Sequence, residues 1–101
     1  MSKLIPDSML AKLPNLYDSE NDANPFCYIK LFTPDASWTW YIIEFSKEDQ
    51  NTCFGYVVGH EAELGYFSIS ELEEVKGSLG LAVECDTSFT PVCLSEVKRG
   101  N

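Results

Sequence analysis

A chain of 101 residues has the size of one ordinary domain and buries roughly two-thirds of its unfolded surface, enough for a core without staples. An apolar share of 45% and an aromatic share of 13% argue against a disordered segment. Sixteen acidic against seven basic side chains leave a net charge of −9, which argues against direct binding to nucleic acid or an anionic membrane, because phosphate contacts need Lys and Arg. No run approaches the roughly 20 apolar residues of a membrane span. The opening MSKLIPDSMLAKLP has no long apolar stretch and no small-residue cleavage site, so a cytoplasmic location is expected. Residues 1–101 read as a single domain.

Asp7 or Ser8 is placed to cap a short N-terminal helix after Pro6, with Met9, Leu10 and Leu13 as its apolar stripe. Pro14 ends it, and Asn15–Pro25 is a turn-rich acidic loop, the expected mobile segment. Phe26–Thr33 reads as the first strand, and Thr33–Ser37 as a turn around Pro34. Trp38–Phe45 is the second strand. Alternation puts Trp38, Trp40, Ile42 and Glu44 on one face and Thr39, Tyr41, Ile43 and Phe45 on the other. Neither face is plainly polar, so the strand is expected at the centre of a sheet, covered on both sides.

Ser46–Asn51 is the next connection and Thr52–Gly59 the third strand, where Gly55 marks a bulge or a close approach. His60–Phe67 is the fourth strand, with Gly59-His60 as a kink before it. Ser68 and Glu71 form a capping box, with Ser70 and Glu73 as a second register, for a helix near residues 69–76, with Ile69, Leu72 and Val75 buried and Gly77 at its end. Val83–Phe89 is a fifth strand, and Leu94–Val97 a final helical turn before a polar tail. Consecutive strands with short turns predict an α+β fold: a mostly antiparallel sheet of about five strands, a short N-terminal helix and one helix near 69–76.

The blocks LFTPDASWTWY (31–41) and FGYVVGHEAELGYFSISELEEVKGSLGL (54–81), with AKLPNLY (11–17) and VCLSEV (92–97), carry a resemblance over nearly the whole chain. The chain resembles the domain-of-unknown-function 2958 family of small bacterial and phage proteins. Its cysteines depart mildly from the family pattern. The resemblance implies a setting on plasmids, conjugative elements and phages, near DNA-processing and anti-restriction genes. It implies no established activity and transfers no catalytic residues.

No catalytic set is legible. Cys27, Cys53, Cys85 and Cys93 form no CxxC pair, and with the lone His60 they read as reduced structural thiols. No metal site and no cofactor is expected. Gly59-His60-Glu61-Ala62-Glu63 lacks the second His of HExxH; on a strand, His60 and the two glutamates would face opposite ways. Trp38 and Trp40 read first as core, and as a binding hot spot if exposed.

The remaining feature is acidity. Asp18, Glu20 and Asp22 stand in the first loop, Glu44, Glu48 and Asp49 around the third connection, Glu61 and Glu63 on the fourth strand, and Glu71 and Glu74 on the helix. Alternate strand residues stand roughly 6.5–7 Å apart, close to phosphate spacing, so fixed carboxylates can occupy a basic nucleic-acid channel. The expectation is a non-enzymatic acidic interaction protein of a mobile element. Its partner would be a basic nucleic-acid-handling protein, such as a host defence nuclease inhibited by nucleic-acid mimicry. The alternatives are a small enzyme or ligand-binding domain with a pocket near His60, and an accessory subunit of a plasmid or phage DNA-processing complex.

Overall fold

The computed structural model describes residues 4–35, 37–76 and 79–100. Helix α1 (Asp7–Leu10) is followed by strands β1 (Phe26–Cys27), β2 (Ile29–Phe32), β3 (Thr39–Phe45), β4 (Thr52–Val58) and β5 (Ala62–Ser68), then helix α2 (Ile69–Glu74), strands β6 (Glu84–Cys85) and β7 (Val92–Cys93), and helix α3 (Leu94–Gly100). An antiparallel five-stranded sheet runs in the order β5-β4-β3-β2-β6, and β1 pairs with β7 in a small second sheet. The fold is α+β, as the meander pattern predicts. Among the described residues no helix is long and apolar enough to cross a membrane.

Strand β3 is central, and every residue from Trp40 to Phe45 is buried. Its β-branched and aromatic side chains suit a strand covered on both faces. One face carries Ile29, Leu31, Trp40, Ile42 and Cys53 against Ile5 and Leu13 near the N-terminus and Leu72 of α2. The opposite face carries Tyr41, Ile43 and Tyr56 against Leu94 and Val97 of α3 and Cys27 of β1.

Simple alternation fails inside β3. Ile42 pairs with Gly55 and Glu44 with Phe54, so the register slips at Ile43. This bulge puts Ile43 and Glu44 on the same face and returns Phe45 to the Ile42 face. The expected grouping of Glu44 with Trp40 and Ile42, and of Phe45 with Tyr41 and Ile43, is therefore corrected. Burial of Ile43 and Phe45 on opposite faces contributes about 1.5–3 kcal/mol each, more than the roughly 1 kcal/mol of a forgone ladder hydrogen bond. Gly55 serves the slip: a Cβ there would lie 2.0 Å from the Tyr41 carbonyl oxygen.

Other boundaries shift for local reasons. The expected first strand divides, because Phe26 and Cys27 pair with β7 while Ile29 onward pairs with β3. Pro6, not Asp7 or Ser8, is the N-cap of α1, without a side-chain cap hydrogen bond. The Ser68–Glu71 capping box forms as read. Helix α2 ends at Glu74, since Val75 is extended and Lys76 bridges Ala82; the expected stop at Gly77 lies outside the described residues. The expected 83–89 strand contracts to β6, because Asp86 and Ser88 form a side-chain-bonded turn. The C-terminal turn lengthens into α3.

Two outcomes follow from this packing. Gly55→Ala is expected to lower unfolding free energy by about 3 kcal/mol through overpacking, whereas Gly65→Ala, whose Cβ meets nothing within 4 Å, is expected to raise it by about 0.5 kcal/mol; urea unfolding of both variants measures the contrast. Burial pushes the thiols of Cys27 and Cys53 each up to about 12. The thiolate is the reactive form, so iodoacetamide near neutral pH should leave both unmodified in the native protein and alkylate them once it is unfolded, as peptide mass mapping would read.

Candidate functional site

The bulge aims Glu44 at the acidic loop. Glu44 is 3% exposed, and its carboxylate accepts from the Tyr17 N–H at 2.9 Å, the Ser19 N–H at 2.8 Å and the Ser19 hydroxyl. Tyr17 has a φ of 70°. A left-handed residue costs a side chain with a Cβ about 1 kcal/mol or more, and here it turns alternate N–H groups toward one anion, in the manner of a nest. The anion is the protein's own. The loop expected to be mobile is pinned by this carboxylate, and successive turns at Asp18, Glu20 and Asp22 brace it from within.

Several other predicted acids serve local structure. Asp49 accepts from the N–H groups of Asn51 and Thr52 and from the Thr52 hydroxyl. These bonds, Thr52 first, hold its carboxyl down from 3.8 to about 2. Glu71 closes the capping box on Ser68. Asp18 accepts from the Asn15 N–H and Asp22 from the Asn24 N–H. Glu20, Glu48, Glu61, Glu63 and Glu74 are exposed and make no side-chain hydrogen bond or ion pair among the described residues.

Two clefts meet at Tyr66. The first, about 360 Å³, runs under the acidic loop between Tyr17, Glu20, Asp22, Phe54, Leu64 and Tyr66, with Glu44 in its wall. Partial desolvation, then the neighbouring Tyr17 hydroxyl and the charges of Glu44 and Glu20, hold the Tyr66 phenol above its ordinary range. The second, about 380 Å³, lies on the other side of β5 and is lined by Trp38, Val57, His60, Glu61, Glu63, Gly65 and Tyr66. A larger groove of about 630 Å³ follows the β2–β6 side, but the carboxylate lining it, Asp86, is held by Ser88.

The second cleft corrects two expectations. Residues 59–61 form a hairpin between β4 and β5, not a kinked strand. His60 leaves the strand alternation there, so it joins Glu61 and Glu63 in one cleft instead of opposing them. Trp40 is buried at 6%, while Trp38 is 37% exposed. The two indoles stack at 6.0 Å, and the outer one meets His60 edge-on at 5.8 Å. A Trp38–Trp40 surface patch therefore does not form; Trp38 alone reaches solvent. Gly59 permits this seat, since a Cβ there would lie 2.3 Å from the Trp38 ring.

The structure thus gathers Glu20, Asp22 and Glu44 at one cleft and Glu61, Glu63 and Trp38 at the other, across β5, and leaves Glu48, Asp49, Glu71 and Glu74 elsewhere, Asp49 and Glu71 near the start of β4 and α2. Sequence reading missed Tyr17, Leu64 and Tyr66 as surface residues. The available signal was the position of β5 as the last strand of the meander, where an edge leaves apolar side chains uncovered. Among the described residues no Ser, Thr or Cys lines the His60 cleft, and no group of His, Cys, Asp or Glu is arranged to hold a metal ion.

Replacement of Glu44 by Ala leaves the part-buried N–H groups of Tyr17 and Ser19 without their acceptor, at an expected cost of about 1–3 kcal/mol; thermal unfolding and amide exchange at Tyr17 and Ser19 would register it. For Asp49 the folded carboxyl lies below its unfolded value, so its stabilisation is complete above about pH 4 and is lost as pH falls toward 2. An Asp49→Asn variant should therefore lose less stability than the parent over that acid window, as paired acid titrations of unfolding would show.

Comparison with curated proteins and with solved structures finds no match to the chain. A family model described as "Protein of unknown function (DUF2958)" matches residues 4–97. Spanning nearly all of the fold described above, that match means that the chain belongs to the DUF2958 family.

Proposed function

We propose that the protein is a non-enzymatic acidic interaction module whose partner is a basic nucleic-acid-handling protein. One observation carries the reading: the unpaired acids Glu20, Glu61 and Glu63 flank an edge on which Leu64 and Tyr66 are 45% and 58% exposed. Free charge supplies long-range attraction to a basic partner. Exposed apolar and aromatic surface supplies the desolvated contact that holds it. The setting implied by the family resemblance, on plasmids, conjugative elements and phages, makes a host defence nuclease the expected class of target. Glu61 and Glu63, on the same cleft, are the pair best placed to stand in for successive phosphates.

A second reading has its own support. His60, Glu61 and Glu63 converge under Trp38, a set able to hold a small organic cation by charge and by the indole face. Stabilisation by a small amine, abolished in Trp38→Ala, would favour that reading.

Affinity capture from host lysate separates the two. The acidic-module reading expects a nucleic-acid-handling enzyme to be retained at about 0.05 M salt, released at about 0.2 M, and displaced by competing DNA. Retention of no such enzyme, or retention indifferent to salt and DNA, would remove it.

A further inference from the structure

We propose that the outer edge of β5 is a strand-docking site, and that its occupant is an extended segment of a basic partner in which Lys or Arg alternates with apolar residues. The proposal rests on the reading of the protein as an acidic interaction module and names the contact by which it would bind.

The hydrogen-bond phase of the ladder shows which backbone groups are free. The Gly59 N–H donates to the Glu61 carbonyl, and the Ile69 N–H to the Asn51 carbonyl. These bonds flank the Val58–Ala62 and Thr52–Ser68 pairs, so both are non-hydrogen-bonded pairs. Glu63, Gly65 and Phe67 consequently bond inward to β4. Ala62, Leu64, Tyr66 and Ser68 direct their N–H and C=O groups outward. The Glu71 carboxylate takes the Ser68 N–H. Among the described residues, the outward groups of Ala62, Leu64 and Tyr66 have no partner. The hairpin holds one end of this edge and the capping box the other, so little ordering is needed on binding.

Side chains specify the occupant. An added strand would lie about 4.8 Å away with its own side chains alternating between faces. On one face its neighbours are Glu61, Glu63 and the open space over Gly65, which suit Lys or Arg. On the other they are Leu64 and Tyr66, which suit apolar residues. A second copy is a poor occupant, since it brings a further charge of −9 and like charges across a ladder destabilise it. The opposite edge, β6, has only two residues.

The test titrates the full chain with three labelled peptides: one alternating Lys with Val, one alternating Glu with Val, and the Lys–Val sequence with every backbone N–H methylated. The first should bind and slow amide exchange at Ala62, Leu64 and Tyr66. The second should not bind, and methylation should weaken binding by about tenfold or more. Glu63→Gln should weaken the first peptide about threefold. Leu64→Pro removes an outward N–H without breaking the ladder, as edge positions allow, and should weaken it further. Equal binding of the methylated peptide, or protection confined to the acidic loop, overturns the proposal. So does unaltered capture of a basic protein by Leu64→Pro, an outcome that leaves the acidic-module reading standing. Binding of the Lys–Val peptide at β5 without capture of any basic protein would remove that reading and keep the docking edge.

Discussion

The bulge at Ile43 puts two consecutive side chains of the central strand on one face, and the neighbouring structure is built around that slip. With unbroken alternation Glu44 would stand beside Ile42, in the packing of Phe67 and Leu72. An ionised carboxylate in such surroundings costs several kcal/mol. The bulge forgoes about one ladder hydrogen bond, worth near 1 kcal/mol, and moves the charge to a face where backbone donors meet it. It also returns Phe45 to the larger core. The close approach at Gly55 is the geometric condition for both.

From that position Glu44 acts as an internal anion. It organises a loop that has no regular hydrogen-bonded ladder of its own, and it does so through the left-handed turn at Tyr17. The same anchoring sets the Tyr17 ring beside Tyr66 and holds Glu20 and Asp22 at the rim of a cleft. A large negative charge thus divides into two populations. Some carboxylates, Glu44, Asp49 and Glu71 among them, are committed to backbone donors within the fold. Others, notably Glu20, Glu61 and Glu63, point to solvent around one edge of the sheet.

That division bears on function more than net charge does. An evenly acidic surface would serve solubility. Here free acids flank exposed Leu64 and Tyr66 on a strand whose outward backbone groups at Ala62, Leu64 and Tyr66 are unpaired among the described residues, so charge, apolar area and hydrogen-bonding capacity coincide. Edge strands of this length are ordinarily blunted against self-association by charge. Glu61 and Glu63 supply that protection against like-charged strands, and by the same electrostatics they favour a cationic one.

Strand periodicity, turn chemistry and the Ser68–Glu71 cap are local properties, and they determined the meander, the central place of β3 and the start of α2 from sequence alone. Apolar content on both faces of TWYIIEF sufficed to bury that strand. The family, too, was legible in contiguous blocks. The tertiary structure decided the rest, because those features depend on residues far apart in the chain. The bulge arises where Gly55 approaches Tyr41 and where Glu44 finds donors at Tyr17 and Ser19. The 59–61 hairpin, which a period-two pattern reads as continuous strand, turned His60 into the cleft of Glu61 and Glu63. Whether Leu64 and Tyr66 are core or surface depends on whether another strand lies beyond β5. Alternation records which face a side chain takes, and only the completed sheet sets what covers it.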